Sequence, residues 1–110
     1  MKAYHISPKK FRRKIIKEGL KPTLGPRSKR FGEIEPKLFL TPDINDSIKL
    51  TRIRFFNSHP DFKRGIDIWE VKVPETMERE GDTRFVKGFY IKNPIGKSDI
   101  NLVKSFEWVE

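Results

Sequence analysis

The alternation of apolar and polar residues predicts several short strands with two helices among the first of them. The clearest strand runs from 66 to 73, where Trp69, Val71 and Val73 face one side while Glu70 and Lys72 face the other. That pattern is typical of a strand buried on one face. By alternation or by short apolar runs we also predict strands at residues 3–6, 37–40, 85–91 and 106–109.

Two helices are predicted where a hydroxyl residue is followed by proline. Ser7-Pro8 begins a helix over residues 8–18, with Ser7 as the N-cap and Gly19 as its end. Thr41-Pro42-Asp43 begins a second helix in the same way, although its β-branched residues also suit a strand. Its apolar face would hold Ile44, Ile48, Thr51 and Phe55. Ser98 is predicted to cap a helical turn that reaches Ile100 and Val103.

These elements are joined by two loops, at residues 21–37 and 57–65, and by an acidic turn at 74–82. The resulting order, β-α-β-α-β-β-β, predicts an α+β fold. A length of 110 residues predicts one domain over 1–110.

No apolar run approaches membrane-spanning length, and no cysteine is present for disulfides or thiolate zinc sites. We therefore expect a cytoplasmic protein of the producing or host cell, with no metal and no membrane partner.

The net charge of +9 is concentrated at the N-terminus, because residues 1–30 hold eleven bases and one acid. A solvated basic surface is one interpretation. The other is a surface that binds an anionic macromolecule, either nucleic acid or an acidic protein face. The candidate contacts are Lys9, Lys10, Arg12, Arg13, Lys14, Lys17, Arg27, Lys29 and Arg30.

Catalytic signatures are sparse. No glycine-rich phosphate loop, nucleophile elbow or closely spaced histidine pair occurs. The acidic turn contains Glu75, Glu78 and Glu80, which are either solvated or include an acid or base. His5 lies on the first strand just before the predicted helix, where it is either structural or directed into a cleft.

Four segments of the chain together resemble the ADP-ribosyltransferase fold family. They are Tyr4-His5-Ile6-Ser7-Pro8, then Lys17-Glu18-Gly19-Leu20-Lys21-Pro22, then Lys37-Leu38-Phe39-Leu40-Thr41-Pro42-Asp43, and finally Phe89-Tyr90-Ile91-Lys92-Asn93-Pro94-Ile95 followed by Asp99-Ile100. Each segment is short, but they follow the family's order and cover most of the chain.

The resemblance implies an NAD-binding cleft between two small sheets. His5 would contact the NAD ribose, with Tyr4 and Ser7 beside it. Phe39 and Thr41 would line the nicotinamide pocket, with Thr41 as the polar contact. Phe39 stands where one branch of the family has tyrosine.

The family's catalytic glutamate has no clear counterpart, because its position falls at Gly88 or Phe89. Such a carboxylate stabilises positive charge that develops on the ribose, so its loss is expected to slow the reaction by orders of magnitude. Two interpretations follow. Glu80 or Asp82 reaches the site from the loop, or the domain binds without transferring.

The sequence thus leads to two functional hypotheses. The first is an NAD-dependent mono-ADP-ribosyltransferase that modifies a nucleic acid or protein, with His5, Thr41 and Glu80 as catalytic residues; its small size suggests a phage effector. The second is a degenerate protein that binds or inhibits through its basic N-terminal face.

Overall fold

The structure, a computed structural model, describes residues 1–22, 38–51, 65–75, 77, 80–82 and 88–106. Over these residues the fold is α+β with two antiparallel sheets. The first sheet has the order β1-β3-β6, formed by Lys2–Pro8, Ile66–Lys72 and Ile100–Phe106. The second has the order β2-β5-β4, formed by Leu38–Leu40, Gly88–Ile91 and Glu80–Asp82.

The described helices are short. Helix α1 spans Arg12–Glu18 and follows a 3₁₀ turn at Lys9–Phe11, while helix α2 spans Ile44–Thr51. A second 3₁₀ turn, Lys97–Asp99, leads into β6. The helical interpretation of the second segment is therefore confirmed as far as Thr51, and Phe55 lies outside the described residues.

One apolar cluster joins the two sheets to α1. Ala3 and Trp69 come from the first sheet, Leu40 and Ile91 from the second, and Ile15 from the helix. Since opposed residues of an antiparallel pair share a face, the pairing of His5 with Trp69 places His5 on this inner face. The two sheets therefore meet on the side of β1 that carries His5.

Strand β3 was expected to be buried on one face, but it is the central strand of its sheet. Trp69, Val71 and Val73 share the core face as predicted, and Ile66 and Ile68 are fully buried on the opposite face. The polar residues that indicated an exposed face, Glu70 and Lys72, lie only toward the end of the strand.

The predicted N-cap of the first helix is wrong. Ser7 and Pro8 belong to β1, and the buried Ser7 hydroxyl accepts a hydrogen bond from Trp69 Nε1 at 2.8 Å. Pro8 instead precedes the 3₁₀ turn, and no side chain caps it. Gly19 ends the helix as predicted, with a φ of 80°.

Two predictions in the C-terminal half also differ from the structure, and a third, the strand at 106–109, lies outside the described residues except for Phe106. The acidic turn contains a strand, β4, so the described order is β-α-β-α-β-β-β-β. Ser98 caps no helix that reaches Val103, because β6 begins at Ile100. The last described strand is therefore Ile100–Phe106, while 107–110, including Trp108, lie outside the described residues.

Candidate functional site

The two sheets are joined where β1 passes the end of β2. Tyr4 and Thr41 form an antiparallel bridge, with the Tyr4 amide donating to the Thr41 carbonyl at 2.8 Å and the reverse bond at 2.9 Å. His5 follows directly on β1 and Phe39 lies two residues earlier on β2. The bridge thus places the first and third resemblance segments side by side.

His5 is fixed across this junction by a hydrogen bond. Its Nδ1 lies 2.8 Å from the Phe39 carbonyl oxygen. Because a carbonyl oxygen only accepts, Nδ1 carries the proton and donates it. The bond sets both the tautomer and the orientation of the ring, and any hydrogen bond to a ribose then falls to Nε2.

Phe39 and Tyr90 form an aromatic pair on the face of the second sheet opposite the core. The two residues are directly opposed in the β2–β5 ladder, and their rings are tilted at 57° with centroids 5.2 Å apart. Leu38, Leu40 and Ile91 point to the other face and into the core. The buried Tyr90 ring and the half-buried Phe39 ring therefore pack against each other, and the Phe39 carbonyl connects this pair to His5.

A carboxylate has no place at either position where the family pattern would put it. Phe89 is buried in the core. At Gly88, even a Cβ atom would collide with the end of the Phe39 ring. A side chain at 88 would therefore require the Phe39 ring to move, so a glutamate there would displace Phe39.

Glu80 lies on β4 rather than in a loop, so that part of the prediction is wrong. It is directly opposed to Tyr90, which is in turn opposed to Phe39. These three positions therefore form one row across the second sheet. A row of this kind is visible only once the strand register is known.

Two of the hydroxyl groups predicted to contact NAD, those of Ser7 and Thr41, have hydrogen-bond partners within the fold. Thr41 is buried, and its Oγ1 is 2.6 Å from Ser47 Oγ and 3.2 Å from the Asp43 carbonyl. Asp43, not Thr41, caps the N-terminus of α2, since its carboxylate accepts from the Asn45 amide at 2.8 Å. Thr41 therefore links β2 to α2, and its role at a nicotinamide stays a prediction.

The second and fourth resemblance segments also meet. Leu20 and Ile95 form an antiparallel bridge with bonds of 2.9 and 2.8 Å. Gly19 packs so closely against the backbone around Ile95 that a side chain would not fit there. The end of α1 is thereby held next to the segment that follows β5.

On the basic face, the Arg12 side chain binds Asp67, a partner that the sequence pattern did not predict. Its guanidinium binds Asp67 in a bidentate pair, with bonds of 2.9 and 2.7 Å, and also donates to Ser105 Oγ at 2.9 Å. Ser105 donates in turn to Asp67 at 2.8 Å. The Asp67 side chain is fully buried, so Arg12 neutralises a charge inside the fold.

The pKa of Asp67 reflects this network. Burial favours the neutral acid, but the hydrogen bonds from Arg12 and Ser105 and the charges of Arg12 and Lys9 outweigh burial, so the pKa lies below its usual range. The signal that could have identified Asp67 is its place in the apolar run Ile66-Asp67-Ile68-Trp69, because an acid within a buried strand needs a partner.

The other cations of α1 are available to a ligand. Arg13, Lys14 and Lys17 are exposed and make no hydrogen bond or ion pair with the described residues. Lys9 and Lys10 lie on the preceding 3₁₀ turn, where the Lys10 ammonium is 5.1 Å from the Phe11 ring centroid. Arg27, Lys29 and Arg30 lie outside the described residues.

Within the described ranges, no group of three or more His, Asp or Glu side chains is arranged to hold a metal ion. Nor does any helix there combine the length and apolar character needed to cross a bilayer. No family model, curated protein or solved structure matches this chain.

Proposed function

We propose that this chain is an ADP-ribosyltransferase-like protein that binds NAD at the junction of its two sheets and modifies a macromolecule. The observation that carries the proposal is the hydrogen bond from His5 to the Phe39 carbonyl. A histidine fixed in one tautomer by the carbonyl of an aromatic residue suits the recognition of a ribose next to a flat nicotinamide ring. The meeting of the resemblance segments in two pairs also supports it.

In this proposal the residues have distinct roles. His5 orients the ribose through Nε2, and the Phe39–Tyr90 pair lines the nicotinamide side of the pocket. Glu80, in the same row as Tyr90 and Phe39, stabilises the positive charge that develops on the ribose. NAD itself supplies a glycosidic bond whose cleavage releases nicotinamide and leaves the ribose carbon bonded to the acceptor. We also propose that the protein acts in the cytoplasm.

The transfer step is tested with labelled NAD and candidate protein and nucleic-acid targets. We expect the wild type to label a target and Glu80→Gln to lose at least about a hundredfold in rate, because a neutral amide cannot stabilise the developing charge. Glu18→Gln is the matched control, since Glu18 is exposed and paired only with Lys21 among the described residues. Equal rates for Glu80→Gln and the wild type would refute the role of Glu80.

A second candidate, binding without transfer, is favoured by the contact between Gly88 and Phe39. A carboxylate at 88 would require the Phe39 ring to leave its position on Gly88. The two candidates differ in one outcome. NAD binding without any labelled product, in the wild type and in Glu80→Gln alike, would support the degenerate form.

A further inference from the structure

Strand β6 and helix α1 run side by side in opposite directions. Arg12, at the start of α1, donates to Ser105 near the end of β6. Leu20, just after α1, bridges to Ile95, a few residues before β6 begins. The start of α1 therefore contacts the end of β6, and the end of α1 lies next to the segment that leads into β6.

Two aliphatic side chains are exposed along this border. Ile16 is one turn after Arg12 and so lies on the side of α1 that faces β6, with 56% of its surface exposed. Leu102 is opposed to Trp69 and so shares the sheet face with Ser105 and α1, with 38% exposed. We call Ile16, Leu102 and the outer edge of β6 the α1/β6 surface.

This surface is open and cationic. Among the described strands β6 is an edge strand, and its side chains from Asn101 to Ser105 are all exposed. Arg13 and Lys17 are exposed on α1, whereas Lys104 is opposed to Ile68 and so lies on the other face of β6. No acidic residue occurs in β6.

An edge strand with exposed backbone groups favours the addition of another strand. A second copy of this chain is disfavoured as that strand, because it would bring the cations of α1 close to their own equivalents. An acidic strand does not face this charge repulsion.

Nucleic acid fits the same charges less well. Ile16, Leu102 and the 42% exposed Val103 are aliphatic and give no stacking platform for bases. The two phenylalanine rings at the ends of these elements already have lysine ammonium groups over them. Lys104 Nζ lies 5.4 Å from the Phe106 centroid, and Lys10 Nζ lies 5.1 Å from the Phe11 centroid. We infer that the α1/β6 surface binds an extended acidic segment of a partner protein, which adds to β6 as a strand and places an apolar side chain against Ile16 and Leu102.

The test uses a fluorescein-labelled peptide of strand length that alternates glutamate with valine, together with its lysine–valine counterpart. Anisotropy measures affinity, and amide hydrogen exchange locates the contact. We expect the acidic peptide to bind at least about tenfold more tightly than the basic one and to slow exchange in residues 100–106. Absence of acidic-peptide binding at about 1 mM would overturn the inference.

Variants separate the apolar and charged contributions. Leu102→Glu, Ile16→Glu and the double variant Arg13→Glu with Lys17→Glu should each weaken the acidic peptide about tenfold. Lys72→Glu is the matched control, since Lys72 is exposed on the opposite face of the sheet, and it should change affinity less than about twofold. Circular dichroism confirms that each variant is folded.

Other occupants give different results. In one such result, oligothymidine displaces the acidic peptide from the wild type and binds the Leu102→Glu variant as tightly as it binds the wild type. In that case the surface binds nucleic acid and the inference is wrong. If the wild type self-associates in sedimentation equilibrium and Leu102→Glu does not, a second copy occupies the surface, and the inference is again wrong.

Discussion

At the scale of single residues, the fold depends on contacts between positions far apart in sequence. Arg12 looked like one of several similar cations, but its partner Asp67 is 55 residues away. Its neighbour Arg13 has no described partner. The charge pattern identified a basic helix correctly, whereas only the strand register reveals which cation is structural.

We expect Arg12→Ala to lower the free energy of unfolding by about 3 kcal/mol, because it leaves the buried Asp67 carboxylate without its counter-ion. Arg13→Ala, the adjacent and exposed control, should change stability by about 0.5 kcal/mol or less. Urea denaturation of both variants measures the difference. Equal stability of the two variants would contradict the structural role of Arg12.

Asp67 also predicts a pH dependence of stability. Its pKa is lower in the folded than in the unfolded protein, so its contribution is complete above the unfolded value of about 3.9 and is lost as the pH falls through the folded value. The free energy of unfolding of the wild type should therefore decline below about pH 4, with a smaller acid slope in Asp67→Asn. The free energy of unfolding of both proteins is measured by urea denaturation at several pH values in this range. The same acid slope in the wild type and in Asp67→Asn would contradict the role of Asp67.

At the scale of elements, sequence patterns predicted the existence of helices and strands better than their boundaries. Ser7-Pro8 has the composition of a helix start, but Trp69 supplies an indole N–H that the Ser7 hydroxyl accepts inside the sheet. The cap signal was therefore overridden by a tertiary hydrogen bond. The end of the helix at Gly19 was predicted correctly, because the positive φ at a helix end is a local preference of glycine.

Gly19→Ala tests the junction between α1 and the segment after β5. A side chain at 19 meets both a positive φ and the backbone around Ile95, so we expect a loss of about 2 kcal/mol or more. Gly96→Ala is the control, because Gly96 has a φ of −66° and nothing within 4 Å of an added Cβ. The melting temperature of each variant measures the difference. An equal decrease in Gly19→Ala and Gly96→Ala would contradict the close packing of Gly19 against the backbone around Ile95.

At the scale of the whole molecule, the sequence predicted an α+β fold with two small sheets, and the structure confirms that much. It did not predict β4 or the row that joins Glu80, Tyr90 and Phe39, since a three-residue strand has too little alternation to be recognised. The NAD site remains a proposal based on how the chain brings His5 to the junction of the sheets.

The most direct test of that proposal is NAD binding by isothermal titration calorimetry. His5→Asn is the informative variant, because an asparagine amide can still donate to the Phe39 carbonyl but lacks the second ring nitrogen. We predict that the wild type binds NAD and that His5→Asn, with its thermal stability retained, binds at least about tenfold more weakly. A wild type that binds no NAD, or a His5→Asn variant that binds it equally well, would contradict the proposed site.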